Sequence, residues 1–301
     1  MNTKNIAVYT ALSFALIWGV TGVFALIWGV TGVFRICGGE YKSPAGTAVA
    51  SLCMCIPFIV TLIMQLINRE KLLSKIGFNW KVNRWWFIGW LLMPLLALMI
   101  LGINLLMPGV SFSSEGPAVV QMMQQLGKAP GDGSGAALVM ALTLASGLFA
   151  GISINALFAL GEETGWRGYL HKQFSGKSFL FTSVLTGVIW GFWHAPMILL
   201  GHNYPQHPVA GVFMMVVFCV LITPTVQYFR IKSGSVIPAA IIHGTFNAVV
   251  NLSLMFIDSY NDLVSGGSGL AGFIALAILD LGLFLFDRYV TRDRIFSSAI
   301  Q

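Results

Sequence analysis

Charge is what this sequence has least of: only 9% of its 301 residues are Asp, Glu, Lys or Arg, against the ~25% usual in soluble globular domains. That scarcity excludes an ordinary water-soluble enzyme. A disordered chain is excluded as well, because disorder needs low hydrophobicity and high net charge, and here 56% of residues are hydrophobic. Cysteine is sparse: Cys37, Cys53, Cys55 and Cys219 lie in or beside apolar stretches, in no metal-binding pair or secreted framework, so they read as small packed hydrophobes with no disulfide implied. No basic stripe interleaved with aromatics lies outside the apolar runs, which argues against a nucleic-acid partner. Acidic residues are fewer than basic ones, 11 against 17, for a formal charge of +6. In so apolar a chain that surplus poses a question of sides: which face of a lipid bilayer holds it.

What is present is a series of long apolar runs. A bilayer core of ~30 Å takes about 20 apolar residues of helix, and eight stretches of that kind occur, from about Ile6 to Phe34, Ala45 to Ile67, Trp85 to Met107, Ala136 to Tyr169, Phe179 to Leu200, Val209 to Phe229, Ser235 to Ile257 and Gly269 to Phe286. Assigning alternate connections to opposite sides places Lys4, Arg69, Lys71, Lys75, Lys81, Arg84, Arg167, Lys172, Lys177, Arg230, Lys232, Arg288, Arg292 and Arg294 on one side and Arg35, Lys42 and Lys128 on the other, fourteen against three. One miscounted span would scramble that sum, so the positive-inside rule predicts both termini in the cytoplasm. Trp80, Trp85, Trp86 and Trp90 fit an interfacial aromatic belt on the same side. The first span contains FALIWGVTGVF twice, at 14–24 and 24–34; too short for a solenoid unit, it reads as a local tandem duplication that tilt or protrusion accommodates. The fourth stretch is too long for one simple crossing, with a break expected at Gly147 or Gly151. Pro108 to Gly135 reads as an exposed loop with a short interfacial helix near Val119 to Leu126. The organisation predicted is an all-α polytopic bundle of about eight membrane helices: residues 1–135 carry the first three helices and the long loop, and 136–301 carry a catalytic core of helices 4–8.

Ionisable side chains at membrane depth cost free energy and mark function. Those inside the apolar runs are Glu162, Glu163, Arg167, His194, His243 and Asp280, with the neutral Asn155, Asn247 and Asn251. In GEETGWRGYL, residues 161–170, Glu163 and Arg167 share a face at i, i+4, where they can pair, while Glu162 points about 100° away with its acid–base chemistry available. The alternative is that all three sit wetted at a cytoplasmic helix end. In VIWGFWHAP, residues 188–196, His194 follows Trp190 by one turn; a single intramembrane histidine can equally be a packing residue. In HGTFN, residues 243–247, His243 and Asn247 stack on one face and must find partners inside the bundle, because lipid offers none. His194 lies about 22 Å from the cytoplasmic end of its helix and His243 about 12 Å, at ~1.5 Å per residue. A cavity joining them to Glu162 is expected to open toward the cytoplasm, although His194 is deep for that geometry. Asp280 reads as paired near the cytoplasmic interface, and His171, His202 and His207 as solvated loop histidines.

A carboxylate, two imidazoles and a carboxamide converging in a wet pocket are the parts of a hydrolase using activated water: Glu accepts the proton, His orients the water or ligates a metal, and Asn donates to an oxyanion. No zinc-protease His, Glu, His helix motif is present. Glu162, His194 and His243 could nonetheless ligate Zn²⁺ through two nitrogens and an oxygen.

EETGWRG, WGFWHAP and HGTFN, in that order on successive apolar helices, resemble the signature motifs of the CPBP family, the intramembrane proteases related to type II CAAX prenyl endopeptidases and also called the Abi family. The resemblance runs from about Leu138 to Asn251. It implies an eight-helix intramembrane peptidase of the metalloprotease type, with Glu162 as catalytic base, His194 as its partner in activating water, His243 and Asn247 lining the site and stabilising the oxyanion, and Glu163 and Arg167 completing the first motif. The implied partner is a membrane-associated protein or peptide, either a CAAX-type tail or a bacteriocin-like propeptide, reached from the cytoplasmic face of a prokaryotic plasma membrane. Three rivals stand beside this reading: a rhomboid-type serine protease using Ser268 in GGSG, a proton- or ion-coupled transporter, and an immunity or binding protein without proteolysis.

Overall fold

The computed structural model describes residues 4–10, 51, 53–127, 133–199 and 201–301. The duplicated segment at 14–34, Cys37 and most of the first predicted span lie outside the described residues, as does the start of the second. The described part is helical, and its only strand-like pairings are the isolated bridges Phe112 to Ile257 and Ser178 to Ala299. Its helices are α1 Ile56–Ile67, α2 Arg84–Asn104, α3 Pro117–Gln125, α4 Gly133–Ile152, α5 Ile154–Glu163, α6 Phe179–Trp193, α7 Ala195–Leu199, α8 Pro208–Ser233, α9 Val236–Val249, α10 Leu252–Met255 and α11 Leu270–Leu285. Five helical stretches among the described residues are long and apolar enough to cross a bilayer, and α1 and α6 are shorter apolar helices. Side chains such as Leu95, Phe149, Phe213, Ile278 and Leu281 are exposed around the bundle. That much outward-facing apolar surface suits lipid rather than water. The protein is a polytopic helical membrane bundle.

Local sequence sets where these helices start and stop. Asn83, Ser178 and Ser235 each cap a helix by accepting a backbone N–H two or three residues on, those of Trp85, Phe181 and Ile237, which satisfies donors that would otherwise be orphaned in an apolar setting. At the other terminus of α8, Gly234 takes a left-handed conformation at φ 70°, the usual C-terminal stop. Pro117 and Pro208 open α3 and α8, where a missing N–H costs nothing.

The connections gather into two groups. In the first, Lys172 pairs with Glu70 at 2.5 Å, Asn83 Nδ2 donates to the Ser233 carbonyl at 2.9 Å, Val236 N–H reaches the Gly77 carbonyl at 2.9 Å, and Phe179 N–H reaches that of Ser298 at 2.9 Å. In the second, Ser113 N–H donates to the Phe256 carbonyl at 2.9 Å, Ser111 N–H to Asp258 at 2.8 Å, Gln206 N–H to Asp262 at 2.6 Å and the Tyr204 hydroxyl to the Ser268 carbonyl at 2.7 Å. Among the described residues the lysines and arginines therefore avoid the second group of connections, which carry Glu115, Asp258 and Asp262. Trp85 departs from the belt expected of it: it is buried, with the Lys232 ammonium 4.3 Å from its ring centroid and Tyr228 and Phe229 against its edges, whereas Trp80 is exposed.

The fourth predicted stretch divides at Ser153, whose φ of −116° and ψ of −106° interrupt the helix, two residues beyond Gly151. An added Cβ on Gly151 would meet Thr245 of α9 and one on Gly244 would meet the Ala156 backbone, while His243 bonds Glu163. α5 thus packs closely against α9, and Asn155 Nδ2 donates to the Gly244 carbonyl at 3.2 Å. The chain then descends through a π-helical turn, Thr164–Leu170, and a last short piece, His171–Gln173.

α6 and α8 meet through glycine: a Cβ on Gly191 would stand 2.4 Å from Val216 Cα, and one on Gly187 2.6 Å from Val220 Cα. Small residues permit such backbone approach in membrane bundles. Gly191→Leu is expected to lower the thermal unfolding midpoint in detergent, by about 1–3 kcal/mol or more of overpacking. Gly102→Ala, at a position with nothing within 4 Å of the added carbon, is expected to leave it unchanged.

Candidate active site

Glu162 and Glu163 close α5, and the wide turn after them holds Trp166 and Arg167. Glu162, Glu163 and Arg167 are all buried, so the wetted-helix-end alternative is overturned. The i, i+4 pair forms as the spacing predicts: Arg167 Nη1 lies 3.0 Å from Glu163 Oε1. Arg167 Nη2 donates to Thr223 Oγ1 of α8 at 3.0 Å, and the guanidinium sits 4.7 Å from the Trp190 ring centroid. Glu163 Oε1 is shared, because His243 Nδ1 lies 2.9 Å from it. One carboxylate oxygen thus joins α5, the turn after it and α9.

Glu162 faces elsewhere, as its rotation around the helix requires. Its Oε2 accepts from Trp190 Nε1 at 2.7 Å and from Trp166 Nε1 at 3.4 Å. Trp166 stands one turn from Glu162, and Trp190 comes from α6. An indole is a donor without acceptor capacity, so these two fix the carboxylate without competing for its proton.

His194 ends α6 at a kink before α7. Its Nδ1 is 2.9 Å from the Trp190 carbonyl, which can only accept, so Nδ1 carries the hydrogen and Nε2 keeps its lone pair. His243 holds its Nδ1–H against Glu163; its Nε2 accepts when the ring is neutral and donates when it is charged. The Trp190 ring stands between them, its centroid 5.8 Å from that of His194 and 5.2 Å from that of His243. Glu162, His194, His243 and Asn247 line one cavity of about 310 Å³, whose remaining wall includes Met215, Phe218, Ile222 and Phe246.

Two expectations change. The Glu162, His194 and His243 ligand set is not assembled: no group of three His, Cys, Asp or Glu side chains among the described residues is placed to hold a metal ion, and Glu162 Oε2 already receives two indoles. These residues do not fit Zn²⁺ as they stand. Beyond Glu162 the cavity lining includes His202, Asn203, Asn251 and Ser268, all at or next to the second group of connections. Secondly, two of the three loop histidines are not solvated: His171 is buried between Gln227 Nε2 at 2.5 Å and the Gln301 carbonyl at 3.1 Å, and His202 borders the cavity, whereas His207 is exposed as expected, its ring paired with Asp262 at 2.6 Å. Asp280 has a partner, as expected: it accepts from Thr225 Oγ1 at 2.7 Å, between α11 and α8. Of the residues that matter, sequence reasoning missed Trp166 and His202 and gave Trp190 no role. The i, i+4 rule that paired Glu163 with Arg167 places Trp166 beside Glu162 in the same way.

Residues 122–249 match the family model described as type II CAAX prenyl endopeptidase Rce1-like. Over 129 residues the chain is 29% identical to CAAX prenyl protease 2 of Methanococcus maripaludis, a match covering 41% of this chain and 46% of that protein. The chain thus spans just under half the length of the curated relative it matches. The glutamate pair, Arg167, His194, His243 and Asn247 all fall within the matched segment, so the site lies in the part of the chain that is similar to type II CAAX prenyl endopeptidases.

Proposed function

We propose that this protein is an intramembrane peptidase that hydrolyses a peptide bond of a membrane-associated protein or peptide with water activated by Glu162. The observation that carries this reading is a carboxylate held by two indole N–H groups in a largely apolar cavity that also receives two imidazoles and a carboxamide. An ionisable group kept at membrane depth marks function by default. The resemblance of the matched segment to a CAAX prenyl protease adds the reaction class.

In this mechanism the indoles hold Glu162 at Oε2, leaving the other carboxylate oxygen to take a proton from water. His194 Nε2, an acceptor by virtue of its Nδ1 bond, holds the same water. The hydroxide formed adds to the scissile carbonyl, and the oxyanion is stabilised by Asn247 and by His243 charged against Glu163. Glu162 returns the proton to the leaving amine as the C–N bond breaks. Glu163 and Arg167 are positioning residues. Every step runs through side chains, so the reaction is expected to proceed in the presence of a chelator. A cavity of about 310 Å³ stands at the small end of ligand sites, ~300–1,000 Å³. It admits an extended segment such as a CAAX-type tail or a propeptide, and excludes a folded domain.

The membrane is the plasma membrane of a prokaryote, with both termini and the basic connections in the cytoplasm. The second group of connections then lies on the opposite side. Reporter fusions at Lys75 and Ser259 are expected on opposite faces, the first cytoplasmic. Both on one face would overturn the span alternation, and the reverse arrangement would put the second group of connections in the cytoplasm.

With a library of membrane peptides, purified wild-type protein is expected to cleave, and Glu162→Gln to lose about 10²-fold or more in rate, the scale of general-base catalysis. His194→Ala should fall comparably, and both variants should unfold at the wild-type temperature. Addition of EDTA should change the wild-type rate less than about twofold, since none of the steps needs a bound metal. Undiminished cleavage by Glu162→Gln would remove the assigned base. A cellular phenotype that survives Glu162→Gln would favour the binding-protein reading.

A further inference from the structure

Among the described lysines and arginines, four are buried or half-buried: Arg167, Lys172, Arg230 and Lys232. Three of them meet a carboxylate, Arg167 that of Glu163, Lys172 that of Glu70 and Lys232 that of Asp293. Arg230 pairs with none among the described residues. A guanidinium keeps its charge in proteins, and a charge drawn out of water without a counter-charge loses hydration that nothing restores. The one hydrogen bond of this side chain to a described residue runs from Nε to the Arg167 carbonyl at 3.1 Å. Both Nη groups, with four N–H donors between them, are left without an acceptor. The side chain is nonetheless held in place. Arg230 stands in the last turn of α8 with its guanidinium laid on Gly77, where a Cβ would stand 1.9 Å from Nη2. Gly77 takes a left-handed conformation, φ 83°, and its carbonyl accepts from Val236 N–H at 2.9 Å, which fixes the chain over the arginine. The connection that passes the guanidinium is amphiphilic: Leu72, Leu73, Trp80 and Val82 are exposed, and so are Arg69, Lys71, Lys75 and Lys81. Exposed apolar side chains among cations at the end of a membrane bundle belong at the level of the lipid headgroups.

We propose that Arg230 binds the phosphate of an anionic phospholipid, its two Nη groups donating to two phosphate oxygens. The ligand supplies the counter-charge that the chain itself does not. A planar guanidinium matches a phosphate with two parallel hydrogen bonds, and with Nε already committed to Arg167 the pair of Nη groups is the fork that remains. Anionic headgroups are drawn to a basic surface of this kind. A free phosphate ion offers the same oxygens but has no acyl chains to lie along exposed apolar side chains such as Leu72, Leu73 and Trp80, which favours the lipid. Because the same guanidinium holds the Arg167 carbonyl, the headgroup would rest one residue's reach from the turn that carries the buried ion pair.

The test is a titration of the purified protein in dodecyl maltoside with dioctanoyl phosphatidylglycerol, read as the thermal unfolding midpoint. A saturable rise is expected for the wild type, and a much smaller one with dioctanoyl phosphatidylcholine, which carries no net charge. Arg230→Gln is expected to weaken the apparent affinity for phosphatidylglycerol about tenfold or more, the scale of a lost charge-assisted hydrogen-bonded pair. Arg230→Lys, which keeps the charge and loses the fork, should weaken it about threefold or more. Arg294→Gln removes the same charge from an exposed position outside the site, and a change of less than about twofold there separates a site from diffuse attraction. Should Arg230→Gln fold poorly, seen as a lowered midpoint without lipid, Arg230→Lys decides alone, and an unchanged affinity in that variant would overturn the proposal. Equal weakening by Arg230→Gln and Arg294→Gln, or no saturable rise with the wild type, would overturn it as well. An equal, Arg230-dependent rise with sodium phosphate would overturn the lipid as the ligand. The readout is binding alone, so it stands whether or not the protein cleaves peptides.

Discussion

The structure depends on one shared oxygen. Glu163 Oε1 meets Arg167 at 3.0 Å within its own helical segment and His243 at 2.9 Å on α9, while Arg167 reaches Thr223 on α8. Both members of the ion pair are fully buried, so each has given up hydration that their mutual attraction alone does not reliably restore. The pair is consequently weak evidence of net stabilisation. Its consequence is geometric: with every partner out of water, any separation of α5, α8 and α9 would leave an unpaired charge in an apolar interior, at a cost of about 3–5 kcal/mol. That makes the relative placement of these three helices nearly obligatory.

The same arrangement separates two adjacent glutamates by role. Glu163 is tied to a guanidinium and an imidazole, whereas Glu162 meets only indole donors on its bonded oxygen. Arg167 reaches the second glutamate's environment indirectly, by standing 4.7 Å over the ring of Trp190, whose N–H holds Glu162. Trp190 is thus packed by a cation on its face, by the rings of His194 and His243, and by a carboxylate at its nitrogen. A residue that the sequence marks only as standing one turn before His194 is the joint between the ion pair and Glu162.

Much of this was legible from local spacing. The i, i+4 relation found Glu163 with Arg167, the 100° rotation set Glu162 apart, and the overlong fourth stretch announced a break, which falls at Ser153. What escaped is whatever depends on contacts between helices. Depth counted residue by residue along straight helices left His194 too deep to meet Glu162, whereas Trp190, one turn before His194, accepts from the His194 ring at its carbonyl and donates its indole N–H to Glu162. The histidines at 171 and 202 misled for a related reason: a polar residue near a connection is exposed by default, but His171 is buried against Gln227 and the Gln301 carbonyl, and His202, its N–H tied back to the Met197 carbonyl, borders the cavity.

Close approach of that kind is possible only where side chains are absent. A carbon on Gly244 would stand 2.6 Å from the Ala156 nitrogen, and one on Gly161 2.6 Å from the Met54 carbonyl, so α5 lies pressed between α9 and the residues leading into α1. Gly244 directly follows His243, and Gly161 directly precedes Glu162. In hydrocarbon, helices gain nothing from the hydrophobic effect by associating and depend on close van der Waals contact and interhelical hydrogen bonds. Between α5 and α9, Gly244 provides the first and the Glu163–His243 bond provides the second. Packing and polar pairing thus impose one geometry, and the carboxylate of Glu162 is left facing the cavity as a result.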